Sequence, residues 1–321
     1  MDTAGRANPW FPFSPCTVAG CLPRGPAAAG AALRPVRWAA LAAVLLTGVA
    51  LSPAVRRLAP ARREGLVRRW NRAIAAALGV RVRVTGAPAA GPALVVANHV
   101  SWLDVPLLAA VVPGRMLAKR EVGRYPVLGR LAARGGTLFI DRERLRSLPG
   151  TVGEIAAALR AGSTVVVFPE GSTRCGRQRG PFRRAVFQAA LDAGVPVQPV
   201  AIRYRTRGAA GGAAGGAVEA GGTVDARAAF VGDDTLAASL RRVAAARGLV
   251  AEVTVLPPLP PGAHPDRRAL AGAAREAVEA ALTAAVETAA VAGGRPCPPP
   301  PGPATGTGTG RDLSGRQPAA A

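Results

Sequence analysis

Three short apolar runs constrain this chain more than anything else in it. Ala93–Ala97 (ALVVA), Ser163–Phe168 (STVVVF) and Val197–Tyr204 (VQPVAIRY) are brief and rich in valine. The first lies between Gly91-Pro92 and Asn98, and the third follows Gly194-Val195-Pro196. Short uninterrupted apolar runs bounded by turn residues are the pattern of strands buried on both faces. Arg115–Ala118, Gly136–Ile140 and Leu249–Leu256 add further strand segments. At Val80, Val82 and Val84, valine alternates with Arg81, Arg83 and Thr85, which predicts a half-buried strand. Trp102–Val112, Ser147–Ala161, Phe182–Ala193 and Arg267–Val291 carry helical patterns. Strands alternating with helices predict an α/β fold, a largely parallel mixed sheet flanked by helices.

The ends of the chain read differently. Residues 1–32 are rich in Pro, Gly and Ala without periodicity and are expected to lack fixed structure. They do not resemble a secretory signal, because the apolar stretch begins too late. That stretch, Trp38–Leu51 (WAALAAVLLTGVAL), is uncharged and helix-prone. It is shorter than the ~20 apolar residues of a spanning helix, and Pro53 soon follows. With Arg37 and Trp38 at one end and Arg56–Arg57 at the other, it could insert shallowly, span by snorkelling, or be buried in the protein's own core. Leu66–Leu78 reads as an amphipathic helix with Leu66, Trp70, Ile74 and Ala77 on one side, stopped by Gly79. These patterns divide the chain into a membrane-associated helical segment (33–79), the α/β domain (80–291) with a flexible Gly/Ala loop at 209–222, and a disordered tail (292–321).

Composition narrows the partners. The formal net charge is +22, which draws a protein to polyanions. A nucleic-acid surface would interleave its arginines with aromatics, and aromatics are only 4% of this chain. Basic pairs at 56–57, 62–63 and 68–69 beside an apolar segment suit a membrane lipid surface instead, with no nucleic acid. Arginine count alone is weak support, since Lys119 is the only lysine and Ala, Gly, Pro and Arg dominate throughout. Cys16, Cys21, Cys175 and Cys297 show no CxxC pairing, so neither a disulfide framework nor a metal site is expected.

The chemistry concentrates in Asn98-His99-Val100-Ser101-Trp102-Leu103-Asp104. His99 follows a buried strand and precedes a helix, where open α/β sheets place functional groups. A neutral imidazole, with an unperturbed pKa of about 6.5, suits a general base near pH 7. A carboxylate such as Asp104 on its other nitrogen would fix the tautomer. The same residues also fit a helix capping box with Ser101 as N-cap, which would leave His99 an ordinary loop histidine. A second segment, Phe168-Pro169-Glu170-Gly171-Ser172-Thr173-Arg174, closes the strongest strand with hydroxyls and nearby arginines at 174, 177 and 179. It suits a phosphate-bearing ligand or is a turn with solvated arginines. Glu170 would hold an arginine or a substrate hydroxyl rather than touch phosphate. Gly136–Arg142 is a third segment, in which Arg142 could bind an anion or pair with Asp141 or Glu143.

Together these segments resemble the lysophosphatidic acid (glycerolipid) acyltransferase family over about residues 80–260. Its Asn-His-x-Ser-x-x-Asp motif is filled by Asn98 to Asp104. Its Gly-x-x-Phe-Ile-Asp-Arg motif matches Gly136 to Arg142, its Phe-Pro-Glu-Gly motif matches Phe168 to Gly171, and its Val-Pro-x-x-Pro-Val block matches Val195 to Val200. In one departure, Thr173 stands where the family has its phosphate-binding arginine, so Arg174 or another basic residue would take that role. The resemblance implies direct acyl transfer by an acyltransferase domain with an N-terminal membrane-associated segment. His99 and Asp104 would be catalytic. Arg142, Glu170, Gly171, Ser172, Thr173 and Arg174 would bind substrate. It implies no cofactor or metal, acyl-CoA or acyl carrier protein as donor, a lysophospholipid acceptor, and a place on the cytoplasmic face of the cell membrane. Another lysolipid, such as a lyso-ornithine lipid, is the alternative acceptor. A non-catalytic basic membrane-binding protein is the alternative of another class.

Overall fold

The computed structural model describes residues 14–23, 32–55, 57–125, 128–141, 144–206 and 224–290. The elements in chain order are α1 (Val18–Cys21), α2 (Leu33–Val55), α3 (Pro60–Ala77), β1 (Arg81–Thr85), β2 (Leu94–Ala97), α4 (Asp104–Val111), β3 (Arg115–Lys119), α5 (Leu128–Arg134), β4 (Leu138–Ile140), α6 (Leu148–Arg160), β5 (Val165–Val167), α7 (Ala185–Ala193), β6 (Val197–Thr206), α8 (Leu236–Ala245), β7 (Leu249–Val255) and α9 (Arg267–Ala290). The short valine runs do become central strands. The seven-stranded sheet has the order β1-β7-β6-β2-β5-β3-β4. Its pairs are parallel except β6 with β7.

Burial on both faces explains why those runs do not alternate. Val95 and Ala97 of β2 and Val166 of β5 enter one core with Ile74, Leu78, Leu107 and Leu108 from α3, its C-cap and α4. Leu94, Val96, Val165 and Val167 enter the opposite core with Ile155, Leu159, Phe187 and Leu270 from α6, α7 and α9. At the sheet edge the expectation of a half-buried alternating strand is only partly met. Val82 packs on the core, but Val84 is 43% exposed, because β1 pairs with β7 alone. Helices α5 and α8 were not anticipated; both are short, at seven and ten residues.

The N-terminal region departs further from expectation. Residues 14–23, within the stretch expected to lack fixed structure, include α1 and a buried Cys16; residues 1–13 and 24–31 lie outside the described residues, as do 209–222 and 292–321. Helix α2 extends beyond Trp38–Leu51 at both ends to 23 residues, long and apolar enough to cross a membrane, with 6% of its most apolar window buried. Pro53 sits inside it. The Val49 carbonyl that loses its i+4 donor to the proline accepts from the Ser52 hydroxyl at 2.9 Å instead. Helix α3 ends at the predicted place, with Gly79 at φ +72°.

Helix α2 is fastened to the domain at several points. The Trp70 indole donates to the Val44 carbonyl at 2.8 Å, and its ring fills the space beside Gly48, where a Cβ would lie 2.5 Å from it. Gly48→Val should expel the indole and destabilise the protein by roughly 1–3 kcal/mol. A thermal unfolding midpoint equal to that of the native chain would refute this packing of α2 on α3.

Candidate active site

Strand β2 stops pairing with β6 at Ala97, opposite Val200. The Asn98 side chain then takes over the ladder: its Nδ2 donates to the Ile202 carbonyl at 2.9 Å and its Oδ1 accepts from the Ile202 N–H at 2.8 Å. An amide that mimics a strand residue frees the backbone to turn, and His99 emerges at the carboxyl end of the sheet. The turn is tied on every side. The His99 carbonyl accepts from the Arg174 N–H at 2.8 Å, the Val100 carbonyl accepts from the Phe230 N–H at 3.0 Å, and the Trp102 indole donates to Ser239 Oγ at 3.1 Å.

Asp104 organises the inside of this turn. Its carboxylate is 0% exposed. Oδ2 accepts from the N–H groups of Val100 (2.7 Å) and Ser101 (2.8 Å) and lies 2.9 Å from His99 Nδ1; Oδ1 accepts from the Tyr204 hydroxyl at 2.6 Å. An ionised carboxylate only accepts, so this arrangement puts the imidazole proton on Nδ1 and leaves Nε2 with a free lone pair. Burial and the Asp104 charge hold the Tyr204 hydroxyl well above its ordinary pKa, so it remains a donor. The His99 side chain is 18% exposed and stacks on Phe168, with ring centroids 4.0 Å apart and planes 15° from parallel.

Phe168 begins the second segment, at the end of β5 next to β2. Glu170 and Arg174 are both buried, with Arg174 Nε 3.4 Å from Glu170 Oε2. Gly171 closes a turn through its N–H to the Phe168 carbonyl at 3.1 Å. The Thr173 hydroxyl donates to the Phe230 carbonyl. Ser172 Oγ is buried without a hydrogen-bond partner among the described residues. A small cavity of about 20 Å³ adjoins this region, lined by Val100, Gly176, Arg179, Arg203, Tyr204, Asp225 and neighbouring residues.

Residues 81–203, which carry all of this apart from Tyr204, Phe230 and Ser239, match the family described as Acyltransferase. The chain is 39% identical over 224 residues to the lyso-ornithine lipid O-acyltransferase of Pseudomonas aeruginosa, covering 68% of this chain and 79% of that protein. It is 40% identical over 148 residues to the 1-acyl-sn-glycerol-3-phosphate acyltransferase of Neisseria meningitidis, covering 45% of this chain and 58% of the relative. The chain belongs to the lysophosphatidic acid (glycerolipid) acyltransferase family. The fold agrees: the crystal structure of the 1-acyl-sn-glycerophosphate acyltransferase of Thermotoga maritima superposes with a TM-score of 0.53 at 19% identity, over 78% of this chain and 97% of that one.

Within this acyltransferase, His99, Asp104 and the Glu170–Arg174 segment come together, while Arg142 lies outside the described residues. The capping-box reading is not met: the N-cap of α4 is Leu103, and Ser101 Oγ accepts from the Leu103 N–H at 3.2 Å. Asp104, at which α4 starts, reaches back to the Ser101 N–H and at the same time meets His99. Of the two fates expected for Glu170, the structure displays contact with an arginine. Tyr204 was missed; as one of only two tyrosines, placed in a strand buried on both faces, it needed a polar partner, and that was the available signal.

Burial pushes the Glu170 carboxyl up to about 8, against the opposing pull of Arg174. A carboxyl raised in the folded state binds a proton that the unfolded chain has released, so its contribution favours folding below about pH 4.5 and declines as pH rises to 8. Denaturant midpoints measured across that window should fall more steeply for the native chain than for Glu170→Gln. Equal slopes would refute the raised value.

Proposed function

We propose that this acyltransferase moves a fatty acyl group from the thioester of coenzyme A or acyl carrier protein to the hydroxyl of lysophosphatidic acid, giving phosphatidic acid. The observation that carries the reading is the His99–Asp104 pair at 2.9 Å, with the imidazole held by a buried carboxylate and stacked on Phe168. Nε2 takes the acceptor's hydroxyl proton as that oxygen attacks the thioester carbonyl. The tetrahedral intermediate collapses with cleavage of the C–S bond, and the departing sulfur receives the proton from the imidazolium. Asp104 stabilises the imidazolium, and neither an acyl-enzyme nor a metal takes part in the transfer.

The remaining residues position the acceptor. Glu170, Gly171, Ser172 and Arg174 form the floor of the loop beside His99, with Thr173 bracing it through Phe230. Arg142 is assigned by its place in the family motif. Helix α2 exposes Leu33, Val36, Trp38, Leu46, Val49 and Leu51 around its circumference, and this apolar surface holds the enzyme at the cytoplasmic side of the membrane, where the lysolipid resides.

A second acceptor has specific support. The relative from Pseudomonas aeruginosa, matched over 79% of its length, is named for lyso-ornithine lipid, and here Thr173 replaces the family's phosphate-binding arginine while Arg174 is buried against Glu170. A purified preparation in detergent, given an acyl thioester and either lysolipid, separates the two. Transfer to lysophosphatidic acid supports the first reading, and transfer to the lyso-ornithine lipid alone replaces it with the second. In either case His99→Ala should lower the rate by roughly 10²–10⁴-fold. Activity that survives that substitution would sink the mechanism.

A further inference from the structure

Three of the four cysteines, dispersed in the sequence, converge beside the substrate loop. The sulfurs of Cys16, Cys21 and Cys175 all lie within 4.8 Å of one another, and all three are free thiols. Cys16 and Cys175 are each 2% exposed, and Cys21 is half-buried. We propose that these three thiols bind a zinc ion, which clamps the N-terminal arm (residues 14–23) onto the loop that carries Glu170 and Arg174.

The geometry is close to what the ion requires. Zinc–sulfur bonds of about 2.3 Å in a tetrahedron set sulfurs roughly 3.8 Å apart, so the observed cluster need close by no more than about 1 Å. Cys16 and Cys21 are separated by four residues, the longest spacing of the usual C-x₂₋₄-C chelates. The intervening chain is pre-shaped for this, since Thr17 Oγ1 caps α1 by accepting from the Gly20 N–H at 3.1 Å. The third sulfur arrives from the other side of the fold, one residue after Arg174.

The surroundings suit thiolates. The Cys175 N–H donates to Cys16 Sγ at 3.4 Å, and the N–H groups of Arg177 and Gln178 point at Cys175 Sγ. Such N–H···S bonds orient thiolate ligands and moderate their charge. Three thiolates and one Zn²⁺ leave a net charge of −1, beside the Arg177 guanidinium that donates to the Cys21 carbonyl. A water on the half-buried Cys21 side would be the fourth ligand.

The arm also needs something to hold it. Helix α1 has four residues, none of them buried, and so short a helix has no stability of its own. Its links to the domain run chiefly through Cys16, Cys21, Leu22 and the Arg177 bond. A metal tether would fix the arm, and through Cys175 it would brace Arg174, whose N–H meets the His99 carbonyl. The site stands on the cysteines alone, whichever acceptor the enzyme uses.

The full chain, purified reduced in detergent and stripped with a chelator, should retain one zinc ion per chain after dialysis against Zn²⁺ alone. Co²⁺ in its place should give the near-ultraviolet charge-transfer absorption of cobalt–thiolate bonds. Cys21→Ser, at the ligand furthest from the core, should abolish stoichiometric retention with unfolding unchanged in the absence of metal, and Cys16→Ser and Cys175→Ser should do the same to retention. Cys297→Ser should retain the ion. A folded native chain without retained zinc or the cobalt band overturns the proposal. So does retention undiminished in all three variants, or a disulfide among the three cysteines in chain purified without air.

Discussion

A carboxylate shut away from water is stable only if donors surround it, and at Asp104 those donors come from parts of the chain that must be folded together. Two are backbone N–H groups of the turn that precedes α4, one is the His99 ring, and one is the hydroxyl of Tyr204 from β6. Four donors to one buried group make the turn conformation, the strand register and the histidine orientation a single condition. A slip of β6 by one residue would point Tyr204 to the opposite face and leave Oδ1 without its partner. Asn98, bonded twice to Ile202, enforces that same register two residues before Tyr204. His99 is thus oriented by the pairing of the central strands together with the turn that carries it.

The same coupling explains what could be read from the sequence. His99 and Asp104 are five positions apart within one turn, so their meeting is a local event and the motif displayed it. The central strands were legible because β2 and β5 are buried on both faces and contain little except valine, leucine and alanine. Tyr204 and the cysteine cluster were not legible, since each depends on contacts between segments about 100 residues apart or more. Local periodicity carries no information about such contacts. The span of α2 was underestimated for a different reason. Proline was taken as a helix stop, but a hydroxyl one position earlier satisfies the carbonyl that proline leaves bare.

Arginine count was the least informative feature, and the structure shows why. Many of the guanidinium groups serve as internal struts. Arg37 reaches from α2 to donate to the carbonyls of Ala244 and Ala246 at the end of α8, groups that no helical N–H can satisfy. Arg242 ties the Arg227 and Ala229 carbonyls to Asp234, Arg115 holds the Gly136 carbonyl, and Arg205 pairs with Glu252 across the β6–β7 pair. The planar fork of arginine can serve two acceptors at once, which lysine's point charge does less well.

These struts bear on how the N-terminal helices relate to the site. Arg37 at one end of α2, Trp70 against its middle and Arg134 bonded to Ser52 near its other end fix the helix along the domain. Gly79, at φ +72°, leaves beside it the space that the Arg37 guanidinium occupies. The exposed apolar side chains of α2 are therefore held at a fixed orientation relative to β2 and His99. A membrane segment joined through a flexible linker would give only proximity to the bilayer. A helix joined by hydrogen bonds at three points along its length also has its angle to the His99 turn fixed.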